Sequence, residues 1–329
     1  MAEMIIPYGP LWQQELQNYF QFLDYKTLWK LPNGSFCFLI GGNMFLGVHL
    51  STYTANWDEP VVPLIYQADK TGFDMVEIPL MSPDTFDVKE TKKALKQTGL
   101  FCTCGTGMNP DEDVSSRNQQ TRDAGIRRLK KCLDICNALE ADALGGVLYA
   151  PWGHCIPRET MQEQYKYAIE SLRQVAEYAK EKGVCLSLEI LNRYESSFIN
   201  TMEEGLTLID QIGHPNAKLH FDTFHAYIEE RNMSEAIRQG GDAIYHVHLC
   251  DNNRAAPGSG AIDFLEVLDE LNSIGYQRNL VIENFVIPNS QAGNEVCVWR
   301  RCFETPEENV KYGYRYISDL MEERGLRNA

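Results

Sequence analysis

The sequence predicts a single-domain α/β protein, a (β/α)8 TIM barrel that spans residues 44–329. From Met44 onward, eight short apolar segments alternate with longer amphipathic ones, which is the pattern of eight strand–helix units. A doubly wound sheet would require a glycine-rich first turn, and none follows the first two apolar segments. No linker, internal repeat or low-complexity tract divides this part of the chain.

The predicted strands are the segments 45–50, 74–78, 100–104, 143–149, 184–190, 218–222, 244–249 and 280–285. Between them, apolar residues recur every three or four positions, most clearly in 126–139 and 165–179, as expected for helices with one buried face. Gly183 is suited to end the second of these helices, directly before the fifth strand. Thr201 and Glu204 have the spacing of a capping box and predict the start of the next helix.

Residues 1–43 form an N-terminal extension that does not share this pattern. Apolar and aromatic residues at loosely helical spacing over 11–28 are followed by a turn at 32–35 and a short apolar run at 36–40. Two interpretations stay open. The extension is a short element packed on the barrel or on a partner, or the true start of the protein is Met44. The nucleotides upstream of codon 44, or mass spectrometry of the native protein, would decide between them.

The composition restricts which partners the protein can bind and in which cellular compartment it is expected. The chain has 46 acidic and 30 basic residues, a formal net charge of −16, which disfavours a nucleic-acid surface. Its 10 cysteines include no Cys-x-x-Cys pair, so we expect reduced thiols packed as small apolar groups. No apolar run approaches the roughly 18 residues of a membrane span, and the N-terminus lacks the basic region of a secretion signal. The sequence therefore predicts a cytoplasmic protein without membrane or nucleic-acid partners.

Four consecutive predicted strands, the fifth to the eighth, end in groups that can bind a metal. The fifth is apolar except for Glu189, and the later three end at Asp222, at His246 and His248, and at Glu283. A carboxylate in an apolar strand is costly unless it is paired or bound to a metal. Because the C-terminal ends of barrel strands meet at one mouth, we expect these groups to converge. His248 is nearer the mouth than His246, so His248 is the predicted ligand and His246 the deeper core residue.

The composition of this cluster predicts its chemistry. Three carboxylates and one imidazole form an oxygen-rich set that suits one Mn²⁺ ion per chain, with Co²⁺ or Mg²⁺ as alternatives, better than a structural zinc site. Glu189 and Glu283 lie at the two ends of the four-strand arc and would approach a bound substrate from opposed sides. Such a pair could remove a proton on one face of the substrate and return one on the other.

Several segments after residue 186, together with one in the fourth strand, resemble the ketose 3-epimerases. This family comprises the D-tagatose 3-epimerases and D-psicose (allulose) 3-epimerases, which are xylose-isomerase-like TIM barrels. The resemblance extends from about Met44 to the C-terminus. The segments that carry it are 145–152, 188–195, 221–225, 246–254, 257–260, 282–285 and 298–300.

The resemblance implies roles for individual residues. The implied metal ligands are Glu189, Asp222, His248 and Glu283, of which Glu189 and Glu283 are the catalytic acid/base pair. The implied substrate-binding residues are Glu195, His225, Arg254 and Trp152. The implied reaction inverts C3 of a free ketose, of the D-psicose/D-fructose or D-tagatose/D-sorbose type, by deprotonation and reprotonation through a cis-enediolate.

The resemblance also implies an assembly, since the family is commonly Mn²⁺- or Co²⁺-dependent and dimeric or tetrameric. We therefore expect a homodimer or homotetramer. Trp299, Tyr312, Tyr314 and Tyr316 give the C-terminal region aromatic surface that suits an interface. Alternatively, these four side chains pack on the barrel's own helices.

Some positions depart from the family pattern, and a rival function remains. His49, Asp251 and the segments 104–108 and 284–289 are unusual for the family and face the substrate end, so the identity of the sugar stays open. The rival is a C-glycoside-cleaving lyase subunit of the same barrel family, with His154 as an added base and the N-terminal extension as a docking surface for a small partner protein. A barrel nuclease is disfavoured by the negative charge, and a sugar-binding module would not need paired glutamates.

Overall fold

A computed structural model describes residues 28–30, 36–38, 44–153 and 155–327 of the chain. Its strands, in chain order, are β1 Leu28–Lys30, β2 Phe36–Phe38, β3 Phe45–His49, β4 Met75–Pro79, β5 Phe101–Met108, β6 Ala143–Pro151, β7 Cys185–Glu189, β8 Ala217–Asp222, β9 Ile244–Leu249 and β10 Asn279–Ile282. Strands β3 to β10 form a closed barrel in which all neighbours are parallel and β10 pairs with β3. The prediction of a TIM barrel is confirmed.

Helices follow the barrel strands and cover the outside of the barrel. They are α1 Val62–Thr71, α2 Val88–Thr98, α3 Gln119–Leu139, α4 Arg158–Lys182, α5 Met202–Ile212, α6 Thr223–Glu229, α7 Met233–Gly240, α8 Phe264–Ser273, α9 Gln291–Glu295 and α10 Pro306–Glu323. Short 3-10 helices occupy Leu50–Tyr53, Pro110–Glu112 and Gly241–Ala243. None of the described helices is both long enough and apolar enough to cross a membrane.

The predicted helix boundaries near the fifth barrel strand are confirmed. Gly183 ends α4 with φ 70°, a left-handed conformation that glycine adopts without strain. Thr201 begins α5 with a full capping box, in which its side chain accepts from the backbone N–H of Glu204 and the Glu204 carboxylate accepts from the backbone N–H of Thr201. These two ends position the strand β7 between them, and with it Glu189.

Two predicted strand ends are wrong by three or four residues, and the others agree to within two. β5 continues to Met108 instead of ending at residue 104, because Gly105 and Gly107 keep pairing with β6 instead of turning. β10 stops at Ile282, so Glu283 follows the strand instead of lying within it. Ile282 is paired with Leu249, the last residue of the neighbouring strand β9, and beyond it the backbone N–H of Asn284 donates to the Thr52 hydroxyl.

The apolar core lies between the barrel and its helices, whereas the barrel interior is polar near the mouth. On β9, Val247 and Leu249 are fully buried, and the alternate residues His246 and His248 point inward. Each fully buried Val or Leu contributes about 1.5–3 kcal/mol of burial free energy. The outer core therefore carries the stability of the fold, and the interior is left for polar groups.

Strands β1 and β2 lie within the N-terminal extension and form an antiparallel pair, with Leu28 opposite Phe38 and Lys30 opposite Phe36. Except for Leu28, the loosely helical segment 11–28 lies outside the described residues. The choice between a structural element and a start at Met44 stays a prediction.

Nine described cysteines have free thiols. Six of them are buried as predicted: Cys102, Cys104, Cys132, Cys136, Cys185 and Cys250. The prediction of packed thiols is wrong for Cys155, Cys297 and Cys302, which are exposed. Cys155 lies in the loop after β6, and Cys297 and Cys302 lie between α9 and α10.

Candidate active site

The four predicted metal ligands converge at the C-terminal mouth of the barrel. Glu189 is the last residue of β7, Asp222 the last of β8, His248 the fifth of the six residues of β9, and Glu283 follows β10. In the strand register Asp222 lies beside His248, and His248 beside Val281, two residues before Glu283. One ligand atom from each of the four side chains lies within 4.8 Å of all the others.

Two of the four ligands are held by hydrogen bonds that leave one atom without a partner among the described residues. Asp222 also begins α6, and its Oδ1 accepts from the backbone N–H groups of Phe224 at 2.6 Å and His225 at 3.3 Å. This leaves Oδ2 of Asp222 buried without a hydrogen-bond partner among the described residues. Nδ1 of His248 is likewise buried and unpartnered there. Two such atoms in one cluster need an explanation, and a bound ion supplies it.

The distances and the donor set fit a divalent ion. Nδ1 of His248 lies 3.5 Å from Oε2 of Glu283, 3.7 Å from Oδ2 of Asp222 and 4.0 Å from Oε1 of Glu189. The donors therefore surround one point, and three carboxylates with one imidazole suit a hard or borderline cation. The cluster could hold a metal ion, and the prediction of a buried metal-competent site is supported by its geometry.

The electrostatics of the cluster also favour a cation. Burial and the nearby charge of Glu283 raise the pKa of Glu189 well above its usual range. Burial acts in the same direction on Glu283, but His248, His49 and Arg254 outweigh it and lower its pKa to about 2. Burial lowers the pKa of His248, but the carboxylates of Glu77 and Glu283 outweigh it and raise the pKa. Carboxylates packed this closely repel each other, and a divalent cation would relieve that repulsion.

The four predicted substrate-binding residues form one connected network. The indole N–H of Trp152 donates to Oε2 of Glu195 at 3.0 Å, and Nη2 of Arg254 donates to the same carboxylate at 3.2 Å. Asn192, which lies in the segment 188–195 but was not predicted to have a role, donates from its side chain to Oε1 of Glu195 at 2.9 Å and lies 2.7 Å from Nδ1 of His225. Burial raises the pKa of Glu195, but Arg254 and the other donors outweigh it, so the pKa is lowered.

His225 and Arg254 each present a free group toward the metal cluster. Nδ1 of His225 accepts from the backbone N–H of Asn192, so its other nitrogen carries the proton and lies 3.7 Å from Oε1 of Glu189. Nη1 of Arg254 lies 3.8 Å from Oε2 of Glu283 and has no hydrogen-bond partner among the described residues. Both donors therefore point to the space beside the two glutamates.

A pocket opens beside the cluster. Glu189, Glu283, His248 and the four predicted substrate-binding residues line it, whereas Asp222 lies behind them. One wall is aromatic, because Trp57 packs edge-to-face on Trp152 at 6.0 Å and on Phe285 at 5.6 Å between ring centroids. The opposite side carries the charged groups. Trp57 is one of 5 tryptophans, and no pattern in the sequence predicted that it lines the pocket.

Glu77 is a second residue that sequence reasoning missed. It lies on β4, is 1% exposed, and its Oε2 is 2.6 Å from Nε2 of His246 and 2.8 Å from Nε2 of His248. Its position in the sequence is informative, because Glu77 is the only charged residue of the apolar strand β4. Glu189 is likewise the only charged residue of β7. His246 lies deeper than His248, as predicted. His154, the candidate base of the rival lyase, lies outside the described residues.

Comparisons with known proteins agree with this geometry. A family model described as xylose isomerase-like TIM barrel matches residues 65–317. The D-psicose 3-epimerase of Enterocloster bolteae is 33% identical over 264 residues, which cover 78% of this chain and 87% of that protein. The L-ribulose 3-epimerase of Methylomonas sp. is 31% identical over 274 residues, covering 82% and 96% of the two chains.

A solved structure of a D-psicose 3-epimerase in the presence of D-fructose superposes with a TM-score of 0.80 at 27% identity, covering 84% of this chain and 99% of that one. The D-psicose 3-epimerase of Clostridium cellulolyticum H10 with D-tagatose also has a TM-score of 0.80, at 28% identity, covering 87% and 100%. The chain thus belongs to the xylose isomerase-like TIM barrel family and, within it, to the ketose 3-epimerases, which are isomerases of sugars.

Proposed function

We propose that this enzyme inverts C3 of a free ketose of the D-psicose/D-fructose or D-tagatose/D-sorbose type. Glu189 and Glu283 act as the acid/base pair, and together with Asp222 and His248 they hold one divalent ion, Mn²⁺ in the first instance. The observation that carries the proposal is the approach of two carboxylates, the buried Glu189 and the partly buried Glu283, to one pocket from strands separated by two others. The related ketose 3-epimerases support the same reaction type.

The proposed roles follow from the chemistry of a ketose. The C3 hydrogen is acidic because of the neighbouring C2 carbonyl, so a carboxylate on one face can remove it. The second glutamate then returns a proton on the other face, which inverts the centre. A divalent ion held by the cluster would polarise the carbonyl and stabilise the developing negative charge. The free N–H groups of His225 and Arg254 would orient the substrate oxygens beside the two glutamates.

The pocket fits an unphosphorylated sugar. Among the described residues that line it, Arg254 is the only Lys or Arg, and its guanidinium is already paired with Glu195. A phosphate group would therefore lack an unpaired cation there. The aromatic wall of Trp57, Trp152 and Phe285 suits the C–H face of a sugar, and the Glu195 network suits its hydroxyl groups.

A panel of substrates tests the proposal. The protein is incubated with Mn²⁺ and free ketohexoses and ketopentoses, and the products are separated by chromatography. Formation of the C3 epimer of at least one ketose is expected. No conversion of any ketose would reject the proposal and favour the C-glycoside-cleaving lyase.

Manganese, a cytoplasmic location and a homo-oligomeric state are also predictions. Of the four C-terminal aromatic residues, Trp299 is 66% and Tyr312 is 43% exposed. Tyr314 instead packs on Phe73, with ring centroids 4.9 Å apart, and Tyr316 packs on Phe264. We therefore propose Trp299 and Tyr312 as part of a homo-oligomer interface, and a monomeric mass by light scattering at micromolar concentration would reject it.

A further inference from the structure

The barrel interior contains a buried carboxylate that the proposed reaction does not use. Glu77 reaches from β4 across the interior to β9 and is 1% exposed. Its Oε2 lies within hydrogen-bond distance of Nε2 of both His246 and His248, at 2.6 and 2.8 Å. A buried carboxylate is costly unless it is hydrogen-bonded, and here two imidazoles share one of its oxygens.

This arrangement determines which nitrogen of His248 carries a proton. An ionised carboxylate can only accept hydrogen bonds, so both imidazoles must donate from Nε2. A neutral His248 that carries its proton on Nε2 has its lone pair on Nδ1. That atom faces the carboxylates of Glu189, Asp222 and Glu283 at 3.5–4.0 Å.

The neighbouring strand leaves room for this contact. A Cβ atom on Gly105 of β5 would lie 2.7 Å from Oε1 of Glu77 and 3.3 Å from Nε2 of His49. The side chain of Glu77 is therefore held between two hydrogen bonds on one side and a glycine on the other. Any larger residue at position 105 would displace this carboxylate.

We propose that Glu77 is a positioning residue that fixes the tautomer and the orientation of His248, so that its Nδ1 is presented to the ion. The inference rests on the proposed metal site and deepens it. A carboxylate bonded to the far side of an imidazole ligand typically strengthens metal binding by 10–100-fold. Glu77 lines the same pocket, but its hydrogen bonds go to His246 and His248 and not to the acid/base pair, so we expect it to act on the ion through His248.

Metal titration of the full chain without sugar tests the proposal. The dissociation constant of Co²⁺ is measured by competition with a chelating dye for the wild type and for Glu77→Gln, which has nearly the same volume but one oxygen fewer. We expect roughly 10–100-fold weaker binding and an altered visible spectrum of the bound Co²⁺. A dissociation constant within about twofold of the wild type, with the same spectrum, would overturn the proposal.

A double-mutant cycle separates positioning from a general structural role. His248→Ala is titrated with enough Co²⁺ to fill the weakened site that its three carboxylates still form. In this background Glu77→Gln should change the dissociation constant by less than about twofold, because the ligand through which Glu77 acts is gone. An undiminished effect would overturn the proposal. Asp142→Asn is the matched control, since Asp142 is a carboxylate next to the N-terminal end of the barrel strands, where it pairs with Tyr245 at 3.4 Å. It should leave Co²⁺ affinity unchanged.

A measurement on the unaltered protein keeps the proposal testable if Glu77→Gln does not fold. In the Mg²⁺-loaded wild type, nitrogen-15 NMR of histidine side chains should find His246 and His248 protonated on Nε2. Protonation of His248 on Nδ1 would overturn the proposal. Because none of these measurements contains a ketose, failure of the epimerase assay and failure of this inference are distinguishable.

Discussion

The two halves of the barrel differ in what they bring to the pocket. Strands β7–β10 and the residue that follows them supply all four metal-competent groups and contain no glycine. Strands β3–β6 contain 5 glycines, at positions 47, 105, 107, 145 and 146. One half thus supplies charge, and the other supplies space. Glu77 and His49 are exceptions, because they lie in the glycine-containing half and contact the ligands His248 and Glu283 of the charged half.

The largest expected effect comes from removing the acid/base groups of the charged half. Glu189→Gln and Glu283→Gln have nearly unchanged volume and should retain the fold. Each should lower the rate of C3 inversion by about 10²–10⁴-fold, the usual contribution of a general acid or base. Rates are measured at saturating Mn²⁺, so that weaker ion binding does not determine the result.

Isotope exchange sharpens the same prediction. In D₂O the wild-type product should carry deuterium at C3, because the carboxylate exchanges its proton with solvent before returning it. One Gln variant could still exchange the C3 hydrogen of one epimer without inverting it, since the remaining glutamate works on its own face. Full epimerisation by an ion-loaded Gln variant, or product without deuterium at C3, would contradict the two-glutamate mechanism.

The second effect concerns the ion. Asp222→Asn and His248→Ala remove donors with buried, otherwise unpartnered atoms, so each should lose bound metal and activity together. EDTA should abolish the activity of the wild type, and Mn²⁺ or Co²⁺ should restore it. Elemental analysis is the check, and a metal-free protein that remains fully active in EDTA would reject a catalytic ion.

The charged half could be predicted from the sequence more completely than the other half. A carboxylate or histidine at the end of an apolar strand is visible because its burial violates a general rule. Glu77 is also a carboxylate in an apolar strand, but it lies in the middle of that strand. Its contact with β9 across the barrel interior is visible only in the folded structure. Asn192 and Trp57 lie in loops, where no periodicity indicates direction. The continuation of β5 through Gly105 and Gly107 was missed because glycine usually indicates a turn.

The third prediction concerns the space-providing half. Gly146 has φ 107°, and a Cβ atom there would clash with the carbonyl oxygen of Thr106. Gly146→Ala should lower the free energy of unfolding by about 2–3 kcal/mol, through backbone strain and the clash together. Urea unfolding measures it. Gly99→Ala is the matched control, since Gly99 has φ 79° and open space around it, and should cost only about 1–2 kcal/mol.

The Mn²⁺ affinity of Gly146→Ala tests whether the two halves of the barrel are independent. Folded Gly146→Ala should bind Mn²⁺ within about twofold of the wild type, because no ligand lies on β6. A loss of ion binding as large as that of His248→Ala would show that the halves are not independent.

The smallest effect is expected where the halves meet, at Trp152 and Glu195. Trp152→Phe keeps most of the aromatic wall but removes the indole donor to Oε2 of Glu195. A hydrogen bond to a charged group is worth about 1.5–3 kcal/mol, but Arg254 and Asn192 still donate to this carboxylate, so about 1 kcal/mol should be lost. That corresponds to roughly a fivefold rise in KM while kcat changes little, since Glu195 lies apart from the acid/base pair. Phe101→Leu, at the opposite end of the barrel from the pocket, is the control and should leave KM unchanged. If Trp152→Phe instead slowed turnover by about two orders of magnitude at saturating ketose, this network would act in the chemical step rather than in binding.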